Sequence, residues 1–439
     1  MDTLPLPPRP DLDQYRKRAK SLVAAANSGD PNAVKQWATD WLTALSKLRG
    51  AEITSFVQDS FHRAVEGLGK EVASRRASGA FALADAQHLI AQAHSYENWA
   101  SFAAEVEALR TVSRTSAFEQ AADAVITGDL QTLDELLLKN PDMVHQHSAR
   151  KHHATLLHYV AANGVEDFRQ KTPPNAVEVA RRLIAAGAKV DALADTYGSD
   201  LYQTTMNLLV SSTHPAEAGL QAALAEVLLD HGAAVNGLDD TGSPILTALA
   251  FGYRAAADTL ARRGARIDHV VVAAAVGRLD LVKAWVVDAN TLVKEHGPYR
   301  GPYWVHIPDD TKGQIELALV WACKFGRSDV ARALLDLGVD PAAKDNDKMS
   351  ALHWAAGRGM LEIMEMLLSK GVPLEERNTW GGTVLDSTAW FARNLPETGA
   401  DYPRVIERLL EAGADAREVY PPATGIPAID LVLERYRES

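Results

Sequence analysis

One recurring interval governs what this chain can fold into. In Lys348–Gly371, KMSALHWAAGRGMLEIMEMLLSKG, a separation of 18 residues runs from His353 to Gly371. It recurs from Leu246 to Gly264 and from Val320 to Gly338, and a glycine falls in register at Gly128, Gly164, Gly252, Gly277, Gly326 and Gly359. Within the unit, Ser350, Leu352, His353, Ala355 and Ala356 open a short helix that Gly359 closes. Ile363, Met366, Leu367 and Leu368 then put an apolar stripe at helical spacing on a second helix, which ends at Gly371. A chain of 439 residues is long for one compact core. An array of such hairpins needs no single core, because each buries its apolar face against the next.

The unit resembles the ankyrin repeat, in which TPLHxAA, a glycine, an apolar run and Gly-Ala follow one another within about 33 residues. The resemblance implies an all-α ankyrin solenoid of paired helices with finger hairpins. It covers residues 118–439 as about eight repeats, the last followed by a capping helix, Pro427–Tyr436, and leaves 1–110 as a separate helical region. It also implies that the histidine position, held by His158 and His353, is structural and bonds backbone between repeats. The end of each first helix would line a concave face, giving Asn163, Ser212, Phe251, Val276, Phe325 and Arg358 as binding residues. The middle of that row is apolar and its ends are polar, the distribution of a protein interface.

Composition narrows the class. No window approaches 18 uninterrupted apolar residues, and the start, MDTLPLPPRPDLDQYRKR, lacks the apolar core of a signal peptide, so a cytoplasmic protein without membrane partners is expected. The single cysteine, Cys323, allows no internal disulfide and no cysteine metal site. Net charge is −12, the first 110 residues are balanced, and no basic stripe occurs, which argues against nucleic acid as a partner. No cofactor motif is present: the chain has no GxSxG, P-loop or HExxH and no GxGxxG followed by a helix.

In the N-terminal region, helical spacing begins at Asp11 and restarts after Ser28-Gly29-Asp30-Pro31, with further helices over Ile53–Leu68 and Phe81–Ile90 and one carrying Trp99, Phe102, Val106 and Leu109. ALADAQHLIAQAHSYENWASFAAEVEAL, from Ala82 to Leu109, resembles the helical leader of a group of bacterial ankyrin-repeat proteins. Trp99 and His88 admit a ligand-site reading. Packing of Trp99 and Phe102, where the leader docks on the first repeat, is the simpler one.

Four departures from the repeat carry whatever chemistry exists. Three are insertions between paired helices, lengthening the interval to 29 residues from His158 to Gly187, 25 from Asn207 to Gly232 and 27 from Asp386 to Gly413. The first two lie in adjacent repeats, so their polar groups should meet at one end of the helices. There Glu166, Arg169 and His214 are weak catalytic candidates for acid/base work and anion binding. As loop scaffolding, each would contribute about 1 kcal/mol, the net worth of a typical hydrogen bond. The fourth departure lies between Asn290 and Gln314, where Tyr299, Arg300, Tyr303 and Trp304 form either a recognition arm or a flap folded onto the array. His145, His147, His152, His153 and His158 invite a metal reading, but His158 has its structural place and the others sit in a solvated hairpin, so no metal is expected.

The leading expectation is a scaffold binding a protein partner on the concave face, as a monomer or homodimer. The alternative is an enzyme or small-molecule binder with a polar site in the enlarged loops of the second and third repeats.

Overall fold

The computed structural model describes residues 10–30, 32–49, 55–77, 79–94, 96–110, 117–196, 202–293 and 306–438. It forms two compact units, Met1–Ala234 and Val235–Ser439. The expectation of an almost wholly helical chain of paired helices holds. Among the described residues the only sheets are two antiparallel two-stranded hairpins, β1 (Ala194–Asp195) with β2 (Tyr202–Gln203) and β3 (Val286–Asp288) with β4 (Thr291–Leu292).

The first unit opens with five helices, α1 (Leu12–Asn27), α2 (Ala33–Arg49), α3 (Ser55–Ala77), α4 (Leu83–Ala93) and α5 (Trp99–Arg110). Asp11 starts α1 by accepting a hydrogen bond from the Asp13 backbone N–H at 2.9 Å, satisfying one of the donors a helix start leaves orphaned. Leu12, Tyr15, Ala19, Leu22 and Ala26 then bury one stripe. Phe102 is enclosed in this core with Trp99 packed beside it, at ring centroids 5.3 Å apart. Both aromatics therefore serve the leader's own core rather than its docking surface.

Three helix pairs follow in the same unit: α6 (Ala117–Thr127) with α7 (Leu130–Lys139), α8 (Leu156–Val160) with α9 (Ala176–Ala185), and α10 (Thr205–Leu209) with α12 (Gln221–Asp230). The short helix α11 (Thr213–Glu217) occupies the insertion of the third pair.

The second unit has five pairs: α13 (Ser243–Ala250) with α14 (Arg254–Arg262), α15 (Val270–Ala275) with α16 (Leu279–Trp285), α17 (Thr311–Lys324) with α18 (Ser328–Asp336), α19 (Ala351–Gly357) with α20 (Leu361–Leu368), and α21 (Val384–Asn394) with α22 (Tyr402–Glu411). Helix α23 (Pro427–Arg437) packs on α22 after them. The mid-repeat glycine is needed where the chain turns from first to second helix. At Gly359 the backbone is left-handed (φ +68°), and a Cβ there would fall 2.4 Å from that of Ala400.

Histidine ties consecutive pairs together. The Ser350 backbone N–H donates to His353 Nδ1 at 3.2 Å, and His353 Nε2 reaches the Gly382 carbonyl oxygen, before the next pair, at 3.4 Å. His158 repeats the arrangement with Thr155 and the Ala192 and Gln203 carbonyls, at 3.1 and 3.3 Å. Each ring accepts on one nitrogen and donates on the other, which requires neutral imidazole. Burial holds both pKa values down, to about 4.

Two outcomes follow from this packing. Leu352 is fully buried in α19, so Leu352→Ala should cost about 2–5 kcal/mol, measured by denaturant unfolding. Unfolded histidine takes up a proton near pH 6.5 and the folded rings refuse it until about pH 4, so their contribution is complete above the first value and lost as pH falls towards the second. Thermal melts followed by circular dichroism should show stability declining through that window. The decline should be shallower in His353→Asn.

Candidate functional site

The enlarged loops of the second and third pairs do meet. Asn163 Nδ2 donates to Ser211 Oγ at 2.8 Å, Ser212 Oγ donates to the Ala162 carbonyl at 3.1 Å, and Gln221 Nε2 donates to the Leu209 carbonyl at 2.9 Å. Asn163 and Ser212, expected on a binding face, are thus committed to bonds between adjacent helix pairs. Ser212 is buried.

Glu166 and Arg169 lie together at the start and end of a 3₁₀ turn, Asp167–Arg169, formed by the inserted residues. They are enclosed rather than presented. Glu166 has no exposed surface and Arg169 is buried with it. Arg169 Nη1 contacts Glu166 Oε1 at 3.1 Å and also bonds Glu119 Oε2, while its Nε donates to Asp123 Oδ1 at 2.8 Å. Arg150 is ion-paired with Glu166 through Nε and donates from Nη2 to Glu119 Oε2 at 3.3 Å. Its guanidinium also lies over the Tyr96 ring, 5.3 Å from the centroid. His152 Nε2 stands 3.5 Å from Glu166 Oε2. The cluster therefore joins α6, the 148–153 segment, the insertion and the leader in one buried network.

Its electrostatics do not suit proton transfer. Burial by itself would raise the Glu166 pKa, but Arg150, His152 and Arg169 hold that carboxyl well below the usual range. Glu119 is likewise held low by Arg150 and Arg169 against burial. A general base working near neutrality needs a pKa close to the working pH and access to its substrate, and Glu166 has neither. His214 is exposed on α11, so the structure brings together Glu166 and Arg169 but not the expected trio. Among the described residues no group of three or more His, Cys, Asp or Glu could hold a metal ion. His147 Nδ1 instead faces the His153 carbonyl oxygen at 2.6 Å, and the Ala154 N–H donates to His152 Nδ1 at 3.0 Å.

Sequence reasoning missed Glu119, Arg150, Tyr96 and the part played by His152. A signal existed for Glu119: it sits in α6 among Phe118, Ala122, Val125 and Ile126, a carboxylate on a buried face.

In the second unit the expected groove positions divide. Phe251 is 41% exposed and stacks on Tyr253 at 5.9 Å between centroids, whereas Phe325 is 2% exposed and belongs to the core. Their joint apolar centre is therefore not a surface, because Phe325 faces inward beneath Trp321 (6.0 Å, edge-on). Val276 lines a shallow recess of about 450 Å³ with Gly277, Gly326, Arg327 and Glu362. Arg358 is ion-paired with Glu397 and lies over the Phe391 ring at 5.9 Å. Tyr299, Arg300, Tyr303 and Trp304 lie outside the described residues. The His306 carbonyl, just beyond them, accepts from Asn346 Nδ2 at 2.9 Å.

Residues 270–378 match the family described as ankyrin repeats, in three copies. The chain is 26% identical over 249 residues to the Ankyrin repeat and KH domain-containing protein mask-1 of Caenorhabditis elegans, covering 55% of this chain and 8% of that protein. It is 42% identical over 64 residues to Protein PhlB of Serratia liquefaciens, covering 15% and 28% respectively. It thus spans less than a third of the length of these curated relatives. The human ASB11 ankyrin repeat domain aligns with 71% of this chain and all of its own, at 22% identity and a TM-score of 0.33.

The buried network sets a test. Glu166→Gln leaves two enclosed guanidinia short of a charge and should destabilise by about 3–5 kcal/mol, well above the loop-scaffold expectation. His214→Ala, on an exposed position, should shift stability by no more than about 0.5 kcal/mol in the same denaturant titration.

Proposed function

We propose, from the premise that the chain is an ankyrin-repeat protein, that it is a cytoplasmic scaffold whose second unit binds a protein partner along the surface carrying the ends of its first helices. The observation that supports this is the placement of large exposed aromatics. Phe251, Trp380, Trp390 and Tyr420 are exposed in the second unit, and Tyr202 is the one described counterpart in the first. Exposed tryptophan and tyrosine, rigid and amphipathic, are the side chains that anchor protein interfaces. The alternative of an acid/base or anion site in the enlarged loops loses its support, since Glu166 and Arg169 are consumed by each other and by Glu119 and Arg150. No described helix is long and apolar enough to cross a membrane, and the lone thiol, Cys323, is buried.

The test replaces single residues with a photo-crosslinking amino acid in the source cell. Substitution at Phe251 or Trp390 should capture the same discrete partner, identified by mass spectrometry, and substitution at Arg332, exposed on the second helix α18, should not. Equal capture from all three positions would remove the proposed face.

A further inference from the structure

The last helix pair of the second unit and the turn before it enclose a recess of about 540 Å³. Its walls are the rings of Trp354, Trp380, Trp390 and Phe391, with Asp386 and Ser387 beside them. The Trp354 and Phe391 centroids are 5.8 Å apart, and Trp390 meets Phe391 edge-on at 5.4 Å. Trp380 is 72% exposed and Trp390 45%, so two of the four rings stand at the mouth. The turn is fixed rather than loose. Asn378 Oδ1 accepts from the backbone N–H groups of Trp380 and Gly382, both at 3.0 Å, and its Nδ2 donates to Ser387 Oγ at 2.9 Å.

The chemistry of these walls selects a charge. Aromatic faces carry the negative part of the ring quadrupole, and the Asp386 carboxylate adds a full negative charge. Asp386 Oδ1 accepts from the Tyr420 backbone N–H at 2.8 Å, and among the described residues no lysine or arginine lines the recess, Arg358 lying over the Phe391 ring but paired with Glu397. Two helix pairs earlier, on α17, the chain sets its own ammonium against rings. Lys324 Nζ lies 4.5 Å from the Trp354 ring centroid, 5.7 Å from Trp321 and 5.6 Å from Phe325. Lys324 stands four residues after Val320, and Trp390 stands four residues after Asp386, so the same register position supplies a cation in one repeat and a ring in the other.

We infer that the recess formed by Trp354, Trp380, Trp390, Phe391 and Asp386 is a socket for an alkylammonium side chain, a lysine with or without methyl groups, displayed by a protein partner. This rests on the reading of the chain as a protein-binding scaffold and specifies the chemistry of one anchor that it grips. An alkylated ammonium suits the recess especially: its spread charge loses little hydration on entering an apolar site, and its methyl groups pack on the rings.

The experiment titrates the full chain with Nα-acetyl-trimethyllysine methylamide and with the neutral isostere in which carbon replaces the quaternary nitrogen. Binding is read by tryptophan fluorescence and calorimetry. The cation should bind saturably and about tenfold more tightly than its isostere, the discrimination a desolvated cation–π contact supplies. Trp380→Ala, at an exposed ring, should abolish that binding with the melting temperature unchanged, and Asp386→Asn should weaken it. Equal affinity for the two probes would make the recess an apolar slot and overturn the inference, as would the absence of saturable cation binding or undiminished binding by Trp380→Ala. The probes need no partner. Failure here with position-dependent cross-linking intact therefore removes the socket alone, and the converse removes the groove alone.

Discussion

A neutral imidazole that accepts at the start of one helix and donates to the backbone before the next pair is the contact that holds the second and seventh helix pairs to their neighbours. A helix of five to seven residues, such as α8 or α19, is too short to be stable by itself. Its first turn must have its orphan N–H groups satisfied, and its neighbour must be held at fixed distance. His158 and His353 do both with one side chain: Nδ1 takes the N–H of Thr155 or Ser350, and Nε2 reaches the carbonyls beyond. Protonation would remove the acceptor and leave a charge without solvent. Where the position holds Asn207, Leu246, Val271, Val320 or Asp386, packing or a threonine cap from Thr204 or Thr383 replaces the histidine, in helices of 5 to 14 residues.

The buried network in the first unit solves a different problem. An eleven-residue insertion between α8 and α9 has little apolar content with which to fix its course. Glu166 and Arg169 give it a charged anchor, and Arg150 and Glu119 supply complementary charges from two other segments. Enclosing four ionised groups is costly, and a well-packed apolar set of the same volume would match or exceed their net stabilisation. Their directional bonds fix the position of the turn, which apolar packing would leave free to slide. The same geometry explains why these residues resemble a catalytic constellation by type while being closed to any substrate.

The fold was legible in the sequence because it follows from local periodicity: an interval of 18, a turn glycine and an apolar stripe specify a hairpin wherever they occur. Glu166 and Arg169 were legible as a pair for the same reason, standing three residues apart. Their partners were not, because Glu119 lies 50 residues from Arg169 and is brought to it only by stacking of adjacent pairs. The groove row failed at Phe325 through an assumption of equivalence. Position in the repeat fixes where a Cα lies, but in α17 the Phe325 ring is buried edge-on to Trp321, whereas the Phe251 ring stays exposed, stacked on Tyr253. His214 failed through the insertion, whose helix α11 turns it to solvent.

That contrast identifies where function can accumulate on such a scaffold. The histidine position, the turn glycine and the apolar stripe are held by packing, and changing them spends stability before it alters recognition. The residues one, four and five places after the histidine position vary in chemistry and burial: Trp354, Lys324 and Phe391 occupy them, and at the fifth place Phe251 is exposed where Phe325 is buried. In the second unit these places have collected rings, and one ammonium already rests on them at Trp354. The ring faces hold the Lys324 ammonium against a desolvation that still lowers its pKa to about 8, so they offset only part of the cost of taking a cation out of water. Aromatic enrichment at these places, with a carboxylate among the walls of the last recess, is what the proposed socket would use to select partners by charge as well as by shape.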